Sequence, residues 1–332
     1  MRILYVAMAH DYGQLELGPS FEEMNFRSAL EGMGHELCPF DFKAREAAVG
    51  RERMNRELVD LAGGTQPDLV FFFLFEDEIA PDTIRAVGRQ GGAPTMNWFA
   101  DDHWRFDGFS RRYAPALDWI VTTDHAAVER YRSLHHEGVL LSQWACNKYA
   151  YAKTATTLDY DVTFVGMPHG NRRTVVEELA VAGIDTRCWG RGWPAGRLTH
   201  DEMVRVFGSS RINLNLSNSW EPPRGARARL GALVRGIGHR SRPSQIKGRN
   251  FEVPGSGGFL LTERLPHLDE YFDLGREVAV FSSTEELVDQ VAYWLDHPEE
   301  RAAVAEAGHA RVLAEHTYDH RFARIFETAG LA

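Results

Sequence analysis

Short continuous apolar runs alternate along this chain with stretches whose apolar residues recur at helical spacing. Ile3 to Met8 is a run of the kind that parallel sheets bury on both faces. A polar loop, His10 to Pro19, leads to Ser20 and Glu23, a capping-box pattern ahead of Phe21, Met24, Phe26 and Leu30. Gly32 and Gly34 close that helix, and Glu36 to Phe40 resumes a strand. Met54 to Leu61 reads as helix, Asp68 to Phe75 as the most hydrophobic strand, Asp82 to Gly88 as helix and Thr95 to Phe99 as strand. Asp118 to Thr122 and Val139 to Leu141 add two short strands. Repeated strand–helix units of this length predict a doubly wound parallel sheet.

Around Tyr149 to Leu158 the sequence turns small and polar, which suits an interdomain linker, and then the pattern restarts. Asp161 to Val165 reads as strand, Gly166 to Gly170 as loop, and Asn171 as N-cap of a helix from Arg172 to Ala182. Thr186 to Trp189, Arg211 to Leu216, Phe259 to Thr262 and Val278 to Phe281 read as strands. Ser283 and Glu286 cap a helix to Leu295, Glu299 to Ala314 is a long helix, and Tyr318 to Phe326 is amphipathic enough to pack back on the body. The expectation is an α/β protein of two Rossmann-like doubly wound domains facing across a cleft. Its boundaries are residues 1–150, residues 151–315, and a terminal helix in 316–332 that returns to the first domain. Neither half carries a GxGxxG fingerprint after its first strand, which argues against a dehydrogenase.

Composition adds bounds. At 332 residues the chain exceeds the roughly 250–300 residues that one core usually serves, again favouring two domains. No apolar run approaches the ~20 residues of a membrane span, and MRILYVAMAH is too short an apolar stretch for a signal peptide, so a cytoplasmic protein is expected. Cys38, Cys146 and Cys188 are far apart and odd in number, which suggests neither a disulfide framework nor a zinc knuckle. A net charge of −10 argues against a general polyanion binder, yet eight cations and no acid fall between Glu221 and Glu252. The Arg224 to Arg242 part of that strip implies a local anionic partner or a solvated loop.

The most chemically loaded stretch is Gln245 to Leu261. It holds Lys247 and Arg249, the carboxylate of Glu252, a Pro-Gly-Ser-Gly-Gly run (Pro254 to Gly258) and an apolar strand. A phosphate-bearing ligand needs cations and donors, a sugar hydroxyl needs a carboxylate acceptor, and glycines let backbone N–H groups approach either. The stretch therefore reads as half of a nucleotide-sugar site, with a glycine-rich helix-to-strand connection as the alternative. An inverting sugar transfer would additionally need a base in the first domain. Asp101, Asp102 and His103 follow a strand at its C-terminal end, where α/β sheets place ligands, and His10, Asp11 and Gly13 do the same after the first strand. Capping or turn chemistry is the plainer reading of these acids, and adjacent carboxylates in one loop are a poor chelate. Trp189 and Trp193 suit either a nucleobase or the core. Asn215, Ser217 and Asn218 suit either sugar hydroxyls or strand-end capping.

FEVPGSGGFLLTERLPHLDEYFDLGREVAVFSSTEEL followed by EHTYDHRF resembles the C-terminal domain of the CgeB-like (spore maturation protein type) glycosyltransferases, with a looser likeness at NWFADDHWRF and LSQWACN. The resemblance implies a GT-B fold and a nucleotide-sugar co-substrate, UDP- or another nucleoside-diphosphate sugar, with no resident cofactor and no metal. It implies that Glu252 accepts hydrogen bonds from the donor ribose and that Lys247 and Arg249 neutralise the diphosphate. Gly255, Gly257 and Gly258 would form the turn beside it, with Gly166 near the phosphates, Arg172 among the donor-binding residues, and Arg172 and Arg173 opening the next helix. Ser244 stands where many retaining relatives place a second Glu, so retention or inversion stays open. The acceptor (glycan, small molecule, protein or other polyanion) is not indicated. A sugar-nucleotide 2-epimerase of the same fold, and a nucleic-acid-binding or -modifying protein using the Arg224 to Arg242 strip, are the alternatives.

Overall fold

Both faces of the first strand are apolar, and in the computed structural model, which describes residues 1–153, 157–217 and 245–331, β1 is buried from Ile3 onward. The chain divides into two compact units, Met1–Ala150 with Thr317–Ala332, and Tyr151–His316. The strands are β1 (Arg2–Ala7), β2 (Glu36–Asp41), β3 (Leu69–Phe72), β4 (Thr95–Phe99), β5 (Trp119–Thr122), β6 (Val139–Leu141), β7 (Tyr160–Val165), β8 (Thr186–Trp189), β9 (Ser210–Asn215), β10 (Leu260–Glu263) and β11 (Ala279–Phe281).

In the first unit six parallel strands run in the order β2-β1-β3-β4-β5-β6. One face of this sheet packs on helices Arg51–Thr65 and Pro81–Gly91 through Leu4, Val6, Val70, Phe72, Leu58 and Ile84. The other face is aromatic. Phe26, Phe71, Trp98 and Phe322 interlock there, with Phe322 at 5.5 Å from Phe26 and 5.7 Å from Phe71. Phe322 belongs to the last helix, Tyr318–Thr328, whose Thr317 cap accepts from the His320 N–H while the Thr317 N–H donates to the His320 ring. In the second unit five parallel strands run β11-β10-β9-β7-β8, around Val162, Phe164, Ile212, Leu214 and Leu261.

The two sheets share one winding rule. In each, the first strand lies between the second and the third, so the connections leaving the C-terminal ends of the adjacent first and third strands run in opposite directions and open a crevice between them. Those crevices are flanked by the loops after β1 and β3 in one unit, and after β7 and β9 in the other.

Some boundaries differ from the sequence reading for local reasons. β3 stops at Phe72, and Leu74 N–H donates instead to Asn97 Oδ1 (3.0 Å), turning the chain along the sheet edge. The helix begun at Phe21 widens to π-helical turns over Glu23–Arg27, and a second π segment spans Phe106–Ser110. Periodicity alone does not reveal such insertions, which mark functional positions more often than chance.

Candidate functional site

In the second unit the C-terminal sheet edge is assembled from buried amides. Asn215, at the end of β9, places Nδ2 3.0 Å from Asn250 Oδ1 and 3.1 Å from Thr262 Oγ1 on β10 and Ser217 Oγ. Asn250 Oδ1 also accepts from the Lys247 backbone N–H (2.9 Å). This network pins the start of helix Arg249–Gly255 over β9 and β10. Asn215 is therefore a structural amide satisfied by its neighbours rather than a hydroxyl-binding group, which corrects that expectation.

Arg172 opens the helix Arg172–Val181, directly after the β7 crevice. Its Nε donates to Leu216 O (2.8 Å), its Nη1 donates to Met167 O (2.9 Å), and the guanidinium lies over Phe164 at 5.4 Å. Burial pushes its pKa down to about 10; Glu263 opposes the fall and the charge of Arg249 adds to it. A half-buried cation at a helix N-terminus, near a second one, is a place where an anion is stabilised. Lys247 lies on the same edge, with Nζ 2.7 Å from Gln245 Oε1. Gly166 ends β7 at this edge too, but its N–H donates to Trp189 O (2.8 Å) and its O accepts from Trp193 Nε1 (2.8 Å). Gly166 shapes the crevice, and its amide is already used. Trp193 packs on Phe164 and under Arg173, so it is a wall of the core.

Two expectations change here. Glu252 is 1% exposed, and its carboxylate is held by Arg249 one helical turn earlier. Arg249 also bonds Tyr151, lies 5.3 Å from the Phe207 ring, and has its pKa lowered chiefly by burial. The acid expected on ribose and the cation expected on diphosphate thus bind each other. Gly255, Gly257 and Gly258 are at the other end of the same helix. Gly257 N–H donates to Pro254 O (2.8 Å), Gly258 N–H donates to Val253 O (3.0 Å), and Gly257 has φ of +77°. That is a Schellman termination, which consumes the amides a phosphate would need. A Cβ at Gly258 would meet Phe207 O at 2.5 Å, so this position serves helix-to-sheet packing. The helix-to-strand alternative is the one these glycines fit. Asn218, Ser244 and the Arg224 to Arg242 strip lie outside the described residues.

In the first unit the crevice holds a cavity of about 260 Å³. Asp11 and Tyr12 reach it from the loop after β1, Phe73 to Phe75 from the end of β3, and Asp101 from the end of β4. Phe21, Phe109 and Trp144 close its sides. Arg105 also lines it, but its Nη2 donates to Phe75 O (2.6 Å) and its guanidinium stacks on Phe109 at 4.1 Å. Glu22 lines the cavity while only 2% exposed, and its Oε1 has no hydrogen-bond partner among the described residues. Burial, with Asp11 adding repulsion, pushes its pKa up to about 8 against hydrogen bonds from Ser20 and Met8.

Asp101 and Asp11 both line this cavity. Asp102 does not. It is fully buried, accepts from Thr122 Oγ1 (2.6 Å) and Tyr131 OH (3.0 Å), and burial raises its pKa to about 6. It ties the helix after β4 to β5 and faces no ligand space, so a direct base role is corrected. Asp101 and Asp102 diverge, which removes the paired-chelate arrangement. His10 bridges to Pro19 and is not among the cavity's lining residues. Gly13, with φ of +71° and its N–H given to His10 O, backs onto Lys43. Sequence reasoning missed Glu22 and the aromatic walls. An acid in a helix's first turn reads as a favourable partner of the helix dipole, and only the fold turns this one inward.

Comparison with known proteins follows this geometry. A family model described as glycosyl transferase-like matches residues 172–327. The spore protein CgeB of Bacillus subtilis (strain 168) is 21% identical over 247 residues, covering 70% of this chain and 74% of that protein. Among solved structures, HepE of Anabaena in complex with UDP-glucose superposes with a TM-score of 0.61 at 10% identity, covering 100% of each chain. Sucrose-phosphate synthase of Thermosynechococcus elongatus gives 0.63 at 9% identity, covering 100% of this chain and 98% of that one. The two-unit α/β architecture is that of the GT-B fold.

Proposed function

We propose, from the chain's similarity to the CgeB-like glycosyltransferases, that it moves a hexosyl or related sugar from a nucleoside-diphosphate donor, of the UDP class, to an acceptor. The observation that carries this reading is Arg172. The family match begins at this residue, and its half-buried guanidinium sits at the crevice of the second sheet beside a helix N-terminus. Breaking the bond from sugar C1 to the diphosphate builds negative charge on the leaving group. Fixed cations stabilise that charge without reorganising when it forms. Each charge-assisted hydrogen bond contributes on the order of 1.5–3 kcal/mol, so Arg172, Lys247 and the first amides of helix Arg172–Val181 supply several decades of rate. With that positive charge supplied by the chain, the reaction needs no divalent metal. Glu252 takes up a ribose hydroxyl by exchanging it for Arg249, which frees that guanidinium for the diphosphate.

HepE, crystallised with UDP and with UDP-glucose, is similar in fold and supports the donor class. No helix among the described residues is long and apolar enough to cross a membrane. A thermal-shift panel of nucleoside diphosphates and their sugar conjugates tests the reading. Selective stabilisation by UDP and a UDP-sugar is expected, since ligand at about 100 times its Kd adds ~2.7 kcal/mol. No response to any nucleoside diphosphate sinks the donor assignment.

A further inference from the structure

The cavity of the first unit has a chemistry of its own. Seven aromatic side chains and three carboxylates, Asp11, Glu22 and Asp101, line it, against one cation. That cation, Arg105, is turned onto Phe75 O and the Phe109 ring. Aromatic faces carry negative potential and attract a desolvated cation, and carboxylates complete its charge balance. A buried oxygen of Glu22 and the buried indole Nε1 of Trp144 both lack hydrogen-bond partners among the described residues. An unsatisfied carboxylate oxygen on a residue that lines the cavity is costly in an empty protein and points to a ligand that donates to it. Both π-helical segments adjoin the cavity: one begins next to Glu22, the other contributes Phe109 and Ser110. At about 260 Å³ the space lies just under the ~300 Å³ at which drug-sized sites begin, so it suits a fragment-sized molecule.

We propose that this cavity binds a compact organic cation, a primary ammonium on an apolar or aromatic skeleton, with Glu22 and Asp11 as its counter-charges and the aromatic walls around its body. Anionic molecules are rejected here by Asp11 and Asp101. The binding claim stands without the transferase reading; only the label of acceptor for this molecule rests on it. Glu22 gives the site a proton signature. Around it stand Tyr5 on β1, whose hydroxyl donates to Glu22 O (2.9 Å), Asp11 and Tyr12 after β1, and Asp101 and Arg105 after β4. With its pKa near 8, Glu22 is mostly protonated at neutral pH, so an arriving ammonium ion expels a proton.

Calorimetry with 2-phenylethylamine, 2-phenylethanol and phenylacetate on the full chain tests this. The amine is expected to bind at least about tenfold more tightly than the isosteric alcohol, and the acid not at all. Amine affinity should rise about tenfold per pH unit between pH 6 and 8 and level off above, with proton release at pH 7 seen in buffers of different ionisation enthalpy. Glu22→Gln, an isosteric change, should remove the pH slope and the proton release. Equal affinity for amine and alcohol, no amine binding, or a pH slope that survives Glu22→Gln overturns the proposal. UDP-induced thermal shifts on the same samples separate the two readings. A UDP response without amine selectivity defeats only this proposal; amine selectivity without any nucleotide response upholds it and defeats the transferase reading.

Discussion

The two crevices of this protein are built by one winding rule and lined by opposite chemistry. Each lies where the first strand of a parallel sheet is flanked by the second and third. In the second unit the edge carries Arg172, Lys247 and an Arg249–Glu252 pair, held over buried asparagines. In the first it carries Asp11, Glu22 and Asp101 within aromatic walls. Topology sets where a ligand binds, and the loop and helix residues at that point set which ligand. One edge is prepared for an anion and the other for a neutral or cationic molecule, the division expected if donor and acceptor are taken by different units.

The sharpest way to break this contrast is at Glu22. Its pKa is raised from 4.5 to about 8 in the folded chain, so its neutral form stabilises the fold fully below about pH 4.5 and that contribution fades as pH rises to about 8. The loss is on the order of 5 kcal/mol, from 1.36 kcal/mol per pKa unit. Glu22→Gln should flatten the stability profile across that window and leave the variant more stable than wild type at pH 8, as read by denaturant unfolding. An unchanged profile would mean that Glu22 is solvated and the first crevice is not the dry site described.

At the opposite edge Arg172→Gln should weaken UDP binding roughly 10- to 100-fold, matching ~1.5–3 kcal/mol for one charge-assisted contact, and leave amine binding in the first unit intact. Glu252→Gln should cost less, about tenfold, because Glu252 must give up Arg249 before it serves the ribose. Loss of both ligands in either variant would show that the edges do not act separately. Asp102→Asn should lower stability by about 1–3 kcal/mol, since it exchanges the charged acceptor of the Thr122 and Tyr131 hydroxyls for a weaker amide oxygen and buries an NH2 donor in place of the second carboxylate oxygen. Turnover per folded molecule should persist, and its collapse would restore Asp102 as a base. The smallest effect expected is that of EDTA, which should leave transfer unchanged; lost activity regained with a divalent ion would assign the leaving-group charge to a metal instead.

Much of the scaffold was legible along the chain. The apolar runs Ile3 to Met8 and Asp161 to Val165 became β1 and β7, and Ser283 caps its helix through the Glu286 N–H (3.1 Å). Asp11 and Asp101 proved to line a cavity, and Arg172 and Lys247 proved to mark the second edge. The glycines of PGSGG misled because a Schellman termination and a phosphate loop use the same residues. Asp101 and Asp102, adjacent in sequence, separated because the turn into a helix sends one side chain outward and the next beneath it.

By itself the sequence determined the alternation of strand and helix, the two-unit organisation and the likeness to glycosyl transferase-like proteins, because these rest on local periodicity, caps and motif strings. Only the tertiary structure decided the strand order, the union of Arg249 with Glu252, and the burial of Glu22 with one carboxylate oxygen lacking a partner among the described residues. Charge pairing and desolvation depend on what distant segments bring within a few ångströms, and no window along the chain contains that information.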